Sequence, residues 1–311
     1  MQKVAWLAMW MAGGLGWALA QGLPVAATTG FIADMVRNVG GSRVEVVQVV
    51  PTGSDPHSFE PRPSVVQAIG RARVLFANGL MLEPFLHKLE AQLPRTARVV
   101  ELAEGMPNLI EINDHSAETH ASKEHGSGEA PVSKEHRHDP GGYDPHLWLD
   151  PTYGIRYVEK IRDTLAAVDP AGRSVYTRNA SRYIAQIRQA DAAIQRCLAG
   201  IPQARRKLVS QHEALLYFNR YYKLRSIGTI ADFAGQERGP ASLVKLSKAM
   251  KKENVRVIFT EPQFSQSQAR ALAEATGARI ARIYSDAFDR TVNTYLKLIQ
   301  ANGQAICQVF R

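Results

Sequence analysis

Residues 174–199, SVYTRNASRYIAQIRQADAAIQRCLA, run without a single Gly or Pro. Their apolar positions Tyr176, Ala180, Tyr183, Ile187, Ala190, Ile194 and Cys197 advance by four and three in turn, the seam of one continuous helix. At 1.5 Å per residue such a helix extends about 39 Å, enough to run the height of a two-lobed molecule. A single helix bends less readily than a pair of extended strands, so restricted domain motion is expected in place of a wide hinge. On its N-terminal side, β-rich runs at 25–28, 44–50, 74–77 and 98–102 alternate with helical patterns at 31–39, 63–72 and 84–92. On its C-terminal side, runs at 207–210, 255–260 and 278–284 alternate with helical patterns at 213–222, 241–253, 265–276 and 291–309. Strand and helix in alternation give βαβ units and parallel sheets. The predicted fold is therefore α/β: two (β/α) lobes, 21–173 and 200–311, joined by the single long helix 174–199.

The 311 residues contain 45% hydrophobic and 22% charged side chains, a globular balance that excludes disordered, collagenous and coiled-coil classes. The formal charge is +9, yet the basic residues are scattered. Only Lys248, Lys251 and Lys252 bunch, without interleaved aromatics, so no nucleic-acid partner is expected.

The first residues read as an export signal. Lys3 precedes an apolar run from Val4 to Ala20 that closes on Ala18-Leu19-Ala20, a small-x-small cleavage pattern with the cut after Ala20. Gly13, Gly14 and Gly16 and the short length argue against a membrane anchor. Neither cysteine lies near the cut, so no lipid anchor is expected, and the predicted location is the periplasm. In that oxidising compartment Cys197 and Cys307 form either one disulfide or two buried thiols.

Residues 111–139 lose hydrophobic periodicity and carry His115, His120, His125, His136 and His138 among more acidic than basic side chains. Such a segment is too polar to bury a core and reads as a surface loop, either an auxiliary weak binder of divalent transition metals or an inert insertion.

Of the other histidines, two share one context: Asp55-Pro56-His57 and Asp144-Pro145-His146. Proline fixes the backbone ahead of the imidazole. An Asp two residues earlier can hold the loop or the ring N–H, as outer partners of metal-binding histidines do. In open α/β sheets ligands bind beyond the carboxyl ends of strands. His57 and His212 follow expected strands, Asp286 follows the last of them, and His146 reaches the same edge through the long loop. Three imidazoles and one carboxylate make a closed four-ligand site of the kind zinc adopts. His87 lies within an expected helix and is left out of the set.

Enzyme signatures fail. His212-Glu213 begins a zinc-protease pattern, but Leu216 stands where the second histidine is needed. There is no G-x-S-x-G elbow, Walker A loop or dinucleotide fingerprint. A site filled by protein ligands also keeps no open position for an activated water.

The chain resembles the zinc and manganese receptor family, the metal-specific substrate-binding proteins of ABC importers. The resemblance is carried in order by TTGFIADMVRNVGG (28–41), PTGSDPHSFEPRPS (51–64), NGLMLEPFLHKLE (78–90), DPHLWLDP (144–151), VDPAGRSVYTRNASRY (168–183), HEALLYF (212–218), FTEPQFS (259–265) and SDAFD (285–289). It implies metal held between two lobes on His57, His146, His212 and Asp286, with a membrane ABC permease as partner and a monomeric receptor. It also implies supporting roles for Glu261, Asp55 and Asp144. Manganese receptors of the family tend to carry a carboxylate where His212 stands, and a histidine-rich acidic loop is typical of its zinc members, so Zn2+ is read ahead of Mn2+. The segment ADFAGQERGPAS (231–242) departs from the family's Glu-Pro-Ser pattern. The competing readings are a manganese or iron receptor of the same family, a metal-dependent adhesin, and a zinc hydrolase.

Overall fold

The computed structural model describes residues 22–112, 142–233 and 235–311. The signal-like segment and His115, His120, His125, His136 and His138 lie outside the described residues. The first series runs β1 (Leu23–Ala27), α1 (Gly30–Gly40), β2 (Val44–Gln48), α2 (Pro63–Ile69), β3 (Val74–Ala77), α3 (Leu86–Glu90) and β4 (Arg98–Glu101). Two long helices follow, α4 (Pro151–Val168) and α5 (Arg173–Ala199). The second series is β5 (Lys207–Ser210), α6 (Leu216–Tyr222), β6 (Arg225–Thr229), α7 (Pro240–Glu253), β7 (Val257–Thr260), α8 (Ser267–Thr276), β8 (Arg279–Arg282) and α9 (Tyr295–Phe310).

Each series forms a four-stranded parallel sheet, in the orders β2-β1-β3-β4 and β6-β5-β7-β8. Strand side chains alternate between faces, and both faces are covered. Val25 and Ala27, Val74 and Phe76, and Val257 and Phe259 enter one large apolar cluster with the long helices. Their intervening neighbours Ala26 and Leu75 pack under α2 and α3, and Ile258 packs under α7 and α8. The same topology in both lobes places a switch point between β1 and β3 in one and between β5 and β7 in the other.

Two elements were not anticipated from sequence. α4 carries its own start signal, Asp150 accepting the Thr152 N–H at 2.8 Å with Pro151 in the first turn, and it buries Tyr153, Tyr157, Val158, Ile161 and Leu165 on one side. β6 is an edge strand, RSIGT, with no fully buried residue, so it lacks the hydrophobic signature of an inner strand. Helix starts also shift. α6 begins at Leu216 because the chain first turns at His212, and α9 begins at Tyr295, after Asp289 has accepted the Thr291 and Val292 N–H groups and Thr294 has capped Lys297.

α5 packs on α1 and α4 of the first lobe and on α9 of the second. The buried Asp34 of α1 ties the three together, accepting the Tyr183 hydroxyl of α5 at 2.7 Å and the Tyr295 N–H of α9 at 2.9 Å. Gly154 leaves room for the Tyr295 ring, whose hydroxyl donates to the Trp148 carbonyl at 2.6 Å; a Cβ there would collide with that hydroxyl. Cys197 of α5 and Cys307 of α9 are joined as a disulfide, Cα–Cα 6.1 Å, across 110 residues of sequence. Replacing both by serine is expected to cost about 2–5 kcal/mol in chemical denaturation, since the unfolded chain regains a long loop. An unchanged midpoint would mean that helix packing alone holds α9. Among the described residues no helix is long and apolar enough to cross a membrane.

Candidate metal centre

The carboxyl ends of the strands in both lobes meet at one buried cluster. His57 follows β2, His212 stands two residues beyond β5, Asp286 follows β8, and His146 enters on the turn before α4. One nitrogen or oxygen from each of His57, His146, His212 and Asp286 lies within 4.8 Å of the other three. His57 Nε2 is 3.3 Å from His146 Nε2, His146 Nε2 is 3.3 Å from Asp286 Oδ1, and His212 Nε2 is 3.1 Å from Asp286 Oδ2. A tetrahedron with bonds of about 2.0–2.1 Å has edges of about 3.3–3.4 Å, so this spacing suits one small divalent ion. Two atoms facing the centre, His212 Nε2 and Asp286 Oδ1, are buried without a hydrogen-bond partner among the described residues. Buried lone pairs left free in this way are what a metal would use.

The far side of two rings is fixed by carboxylates. His146 Nδ1–H donates to Asp144 Oδ1 at 2.7 Å, and the same oxygen accepts the His146 backbone N–H at 2.9 Å. His212 Nδ1–H donates to Glu261 Oε1 at 2.8 Å, a bond that spans the switch point between β5 and β7. Each bond leaves Nε2 as the atom turned inward. The first Asp-Pro-His works differently. Asp55 accepts the His57 backbone N–H at 3.0 Å and the Ser58 hydroxyl at 3.0 Å, so it shapes the loop and does not hold the ring. His87 lies in α3, away from the cluster, as its helical setting implied.

Charge differs sharply among the three imidazoles. Burial pushes His57 down to about 3, an effect Asp286 only partly opposes, so the ring is neutral at pH 7. Burial also works against a charged His146, but Asp286 and Asp144 outweigh it and lift the ring to about 9. His212 is raised well above the usual imidazole value in the same way: burial opposes the charge, and Glu261 and Asp286 prevail. Asp286, despite its burial, is held well below the ordinary carboxylate range by His146 and His212. In the metal-free protein two protons therefore occupy the places a cation would take.

Several residues at the centre escaped the sequence reading. Asn78 follows β3 at the first lobe's switch point and donates from Nδ2 to the Pro145 carbonyl at 2.9 Å, holding the loop of His146, while Tyr157 donates to its Oδ1 at 2.7 Å. Trp148, stacked on Phe31 with centroids 4.0 Å apart, donates from Nε1 to the Ser285 carbonyl at 3.2 Å and so links the loops of His146 and Asp286. Phe264 meets the His212 ring edge-on at 4.9 Å, and Gln263 and Ser285 surround Asp286. Asn78 and Gln263 both sit just past a strand end, the rule that found the histidines, but an amide carries no metal-ligand signature by itself.

The family ZnuA, zinc-uptake complex component A, periplasmic, matches residues 25–309 of this chain. The manganese-binding lipoprotein MntA of Halalkalibacterium halodurans is 28% identical over 287 residues, covering 91% of this chain and 86% of that one. A putative metal-binding protein of Treponema pallidum is 30% identical over 266 residues, covering 85% and 79%. Among solved structures, a manganese-bound periplasmic metal binding protein from Candidatus Liberibacter asiaticus has TM-score 0.77 at 22% identity, covering 93% of this chain and 99% of that one. The periplasmic zinc binding protein TroA from Treponema pallidum has TM-score 0.77 at 23% identity with the same coverage. These two share the two-lobed fold. With that fold and a buried imidazole and carboxylate cluster between its lobes, the chain belongs to the ZnuA family of metal-binding receptors of ABC importers, which are substrate-binding components and not enzymes.

Proposed function

We propose that the cargo is zinc, captured in the periplasm after cleavage behind Ala20 and passed by a monomeric receptor to its ABC permease. His57, His146, His212 and Asp286 are the four ligands in this reading, with Asp144 and Glu261 orienting two of the rings and Asp55 shaping the His57 loop. The observation that supports zinc most is the donor set itself: three imidazole nitrogens and one carboxylate at tetrahedral edge lengths. Imidazole suits zinc, whereas manganese favours oxygen donors in octahedral array, and zinc lies above manganese in the general order of divalent affinities. Relatives named for manganese, MntA among them, supply the competing reading.

Calorimetric titration of the chelator-stripped protein separates the two. The zinc reading expects one tight zinc per chain, which manganese displaces only in large excess. Preferential manganese binding would assign the chain to manganese uptake, with the same fold and site.

A further inference from the structure

The inference concerns the fourth ligand, and it rests on the zinc reading above. Asp286 offers two oxygens to the centre, and their surroundings differ. Oδ1 is buried, 3.3 Å from His146 Nε2, and without a hydrogen bond. Oδ2 has three polar neighbours: Gln263 Nε2 at 3.3 Å, the Ser285 hydroxyl at 3.1 Å and His212 Nε2 at 3.1 Å. The Ser285 hydroxyl has one hydrogen, and its much closer partner is Glu261 Oε2. An N–H of Gln263 is then the donor left for Oδ2.

Gln263 is placed for this. Its amide nitrogen also lies 3.1 Å from Glu261 Oε2 and 3.2 Å from Ser285 Oγ, so one NH2 group joins the carboxylate that orients His212 to the carboxylate that faces the metal. Two ionised carboxylates accept only donors, which sets the amide with nitrogen toward them and leaves Oε1 without a partner, as observed. Glu261 and Gln263 leave the end of β7 together, while Asp286 follows β8, so this bridge spans adjacent strands of one sheet.

We propose that Gln263 is a specificity-determining residue: by holding Asp286 Oδ2 it confines the carboxylate to one metal bond through Oδ1, keeping the centre four-coordinate and favouring zinc over manganese. Without the amide, Oδ2 already faces the centre beside His212 Nε2, and the carboxylate chelates through both oxygens. The resulting higher coordination number suits manganese.

Cobalt(II) is the probe, because four-coordinate cobalt absorbs visible light far more strongly than five- or six-coordinate cobalt. The metal-stripped protein should take one cobalt per chain with the intense spectrum. Gln263→Ala should keep that stoichiometry, lose most of the intensity, and reduce the zinc-over-manganese affinity ratio about 10-fold or more, in the range of lost outer partners. Gln263→Glu, equal in size but without the donor, should shift both readouts in the same direction and guards against a packing effect of alanine. An unchanged spectrum and ratio in both variants overturns the proposal and leaves the zinc receptor intact. A weak cobalt spectrum in the wild-type protein, with one zinc still bound tightly, also overturns it. If the wild-type protein binds neither zinc nor cobalt, the zinc reading itself fails and the inference falls with it.

Discussion

His212→Ala should weaken zinc binding by a factor on the order of 100 or more, because loss of an outer partner alone costs about 10–100-fold and this change removes a ligand. His212 is fully buried, its Nε2 faces the centre, and its other nitrogen is committed to Glu261. The variant also leaves the Glu261 carboxylate without its ring partner, so water entering the gap cannot rebuild a fourth nitrogen donor. Glu261→Gln keeps the ring but weakens its orientation, and should fall within the 10–100-fold range. His87→Ala, in α3 away from the cluster, serves as the control and should titrate like the wild-type protein. Calorimetry on the chelator-stripped proteins provides the comparison. Wild-type affinity in His212→Ala would place the metal elsewhere.

The second large effect is on pH. Bound metal needs the lone pairs of His146 and His212, so their protons must leave when it binds. The slope of log affinity against pH equals the number of protons released, so two protons give on the order of 100-fold per pH unit. His57, held near 3, contributes nothing at neutral pH. Affinity should therefore rise steeply through neutral pH, and the slope should decrease above about 9, where His146 is already deprotonated. Sequence alone places this change near the unperturbed imidazole value of about 6.5; the surrounding carboxylates move it upward. The metal-free protein obeys the opposite sign. Imidazoles raised in the folded state contribute stability that is full below about 6.5 and is lost as pH rises, for His146 through about 9. Calorimetry in buffers of different ionisation enthalpy counts the protons directly. Affinity that stays level between pH 6 and 8 would contradict the arrangement of charges at this site.

How much of the site could be read in advance depended on how local its physics is. The two Asp-Pro-His tripeptides are the same sequence, yet Asp144 holds a ring nitrogen and Asp55 holds only backbone and Ser58. The difference comes from Asn78 and Trp148, which pin the second loop from other parts of the chain. Gln263 and Ser285 stayed invisible because an amide and a hydroxyl acquire a role at a metal site only through what stands beside them. β6 was missed because an edge strand with a solvent face has little hydrophobic pattern to show, and α4 despite a legible Asp-Pro start.

The sequence by itself determined the two α/β series, the uninterrupted helix between them and the placement of His57, His212 and Asp286 just past strand ends. Each of these follows from periodicity and turn chemistry within a few residues. Only the tertiary structure decided that four donor atoms from distant segments converge within 4.8 Å, that Asp286 Oδ1 is free while Oδ2 is held, and that Asp34 ties α1, α5 and α9 into one frame. Spacing between the lobes is a packing property of those three helices. No local pattern encodes it, because it is set by contacts between residues as far apart in the chain as Asp34 and Tyr295.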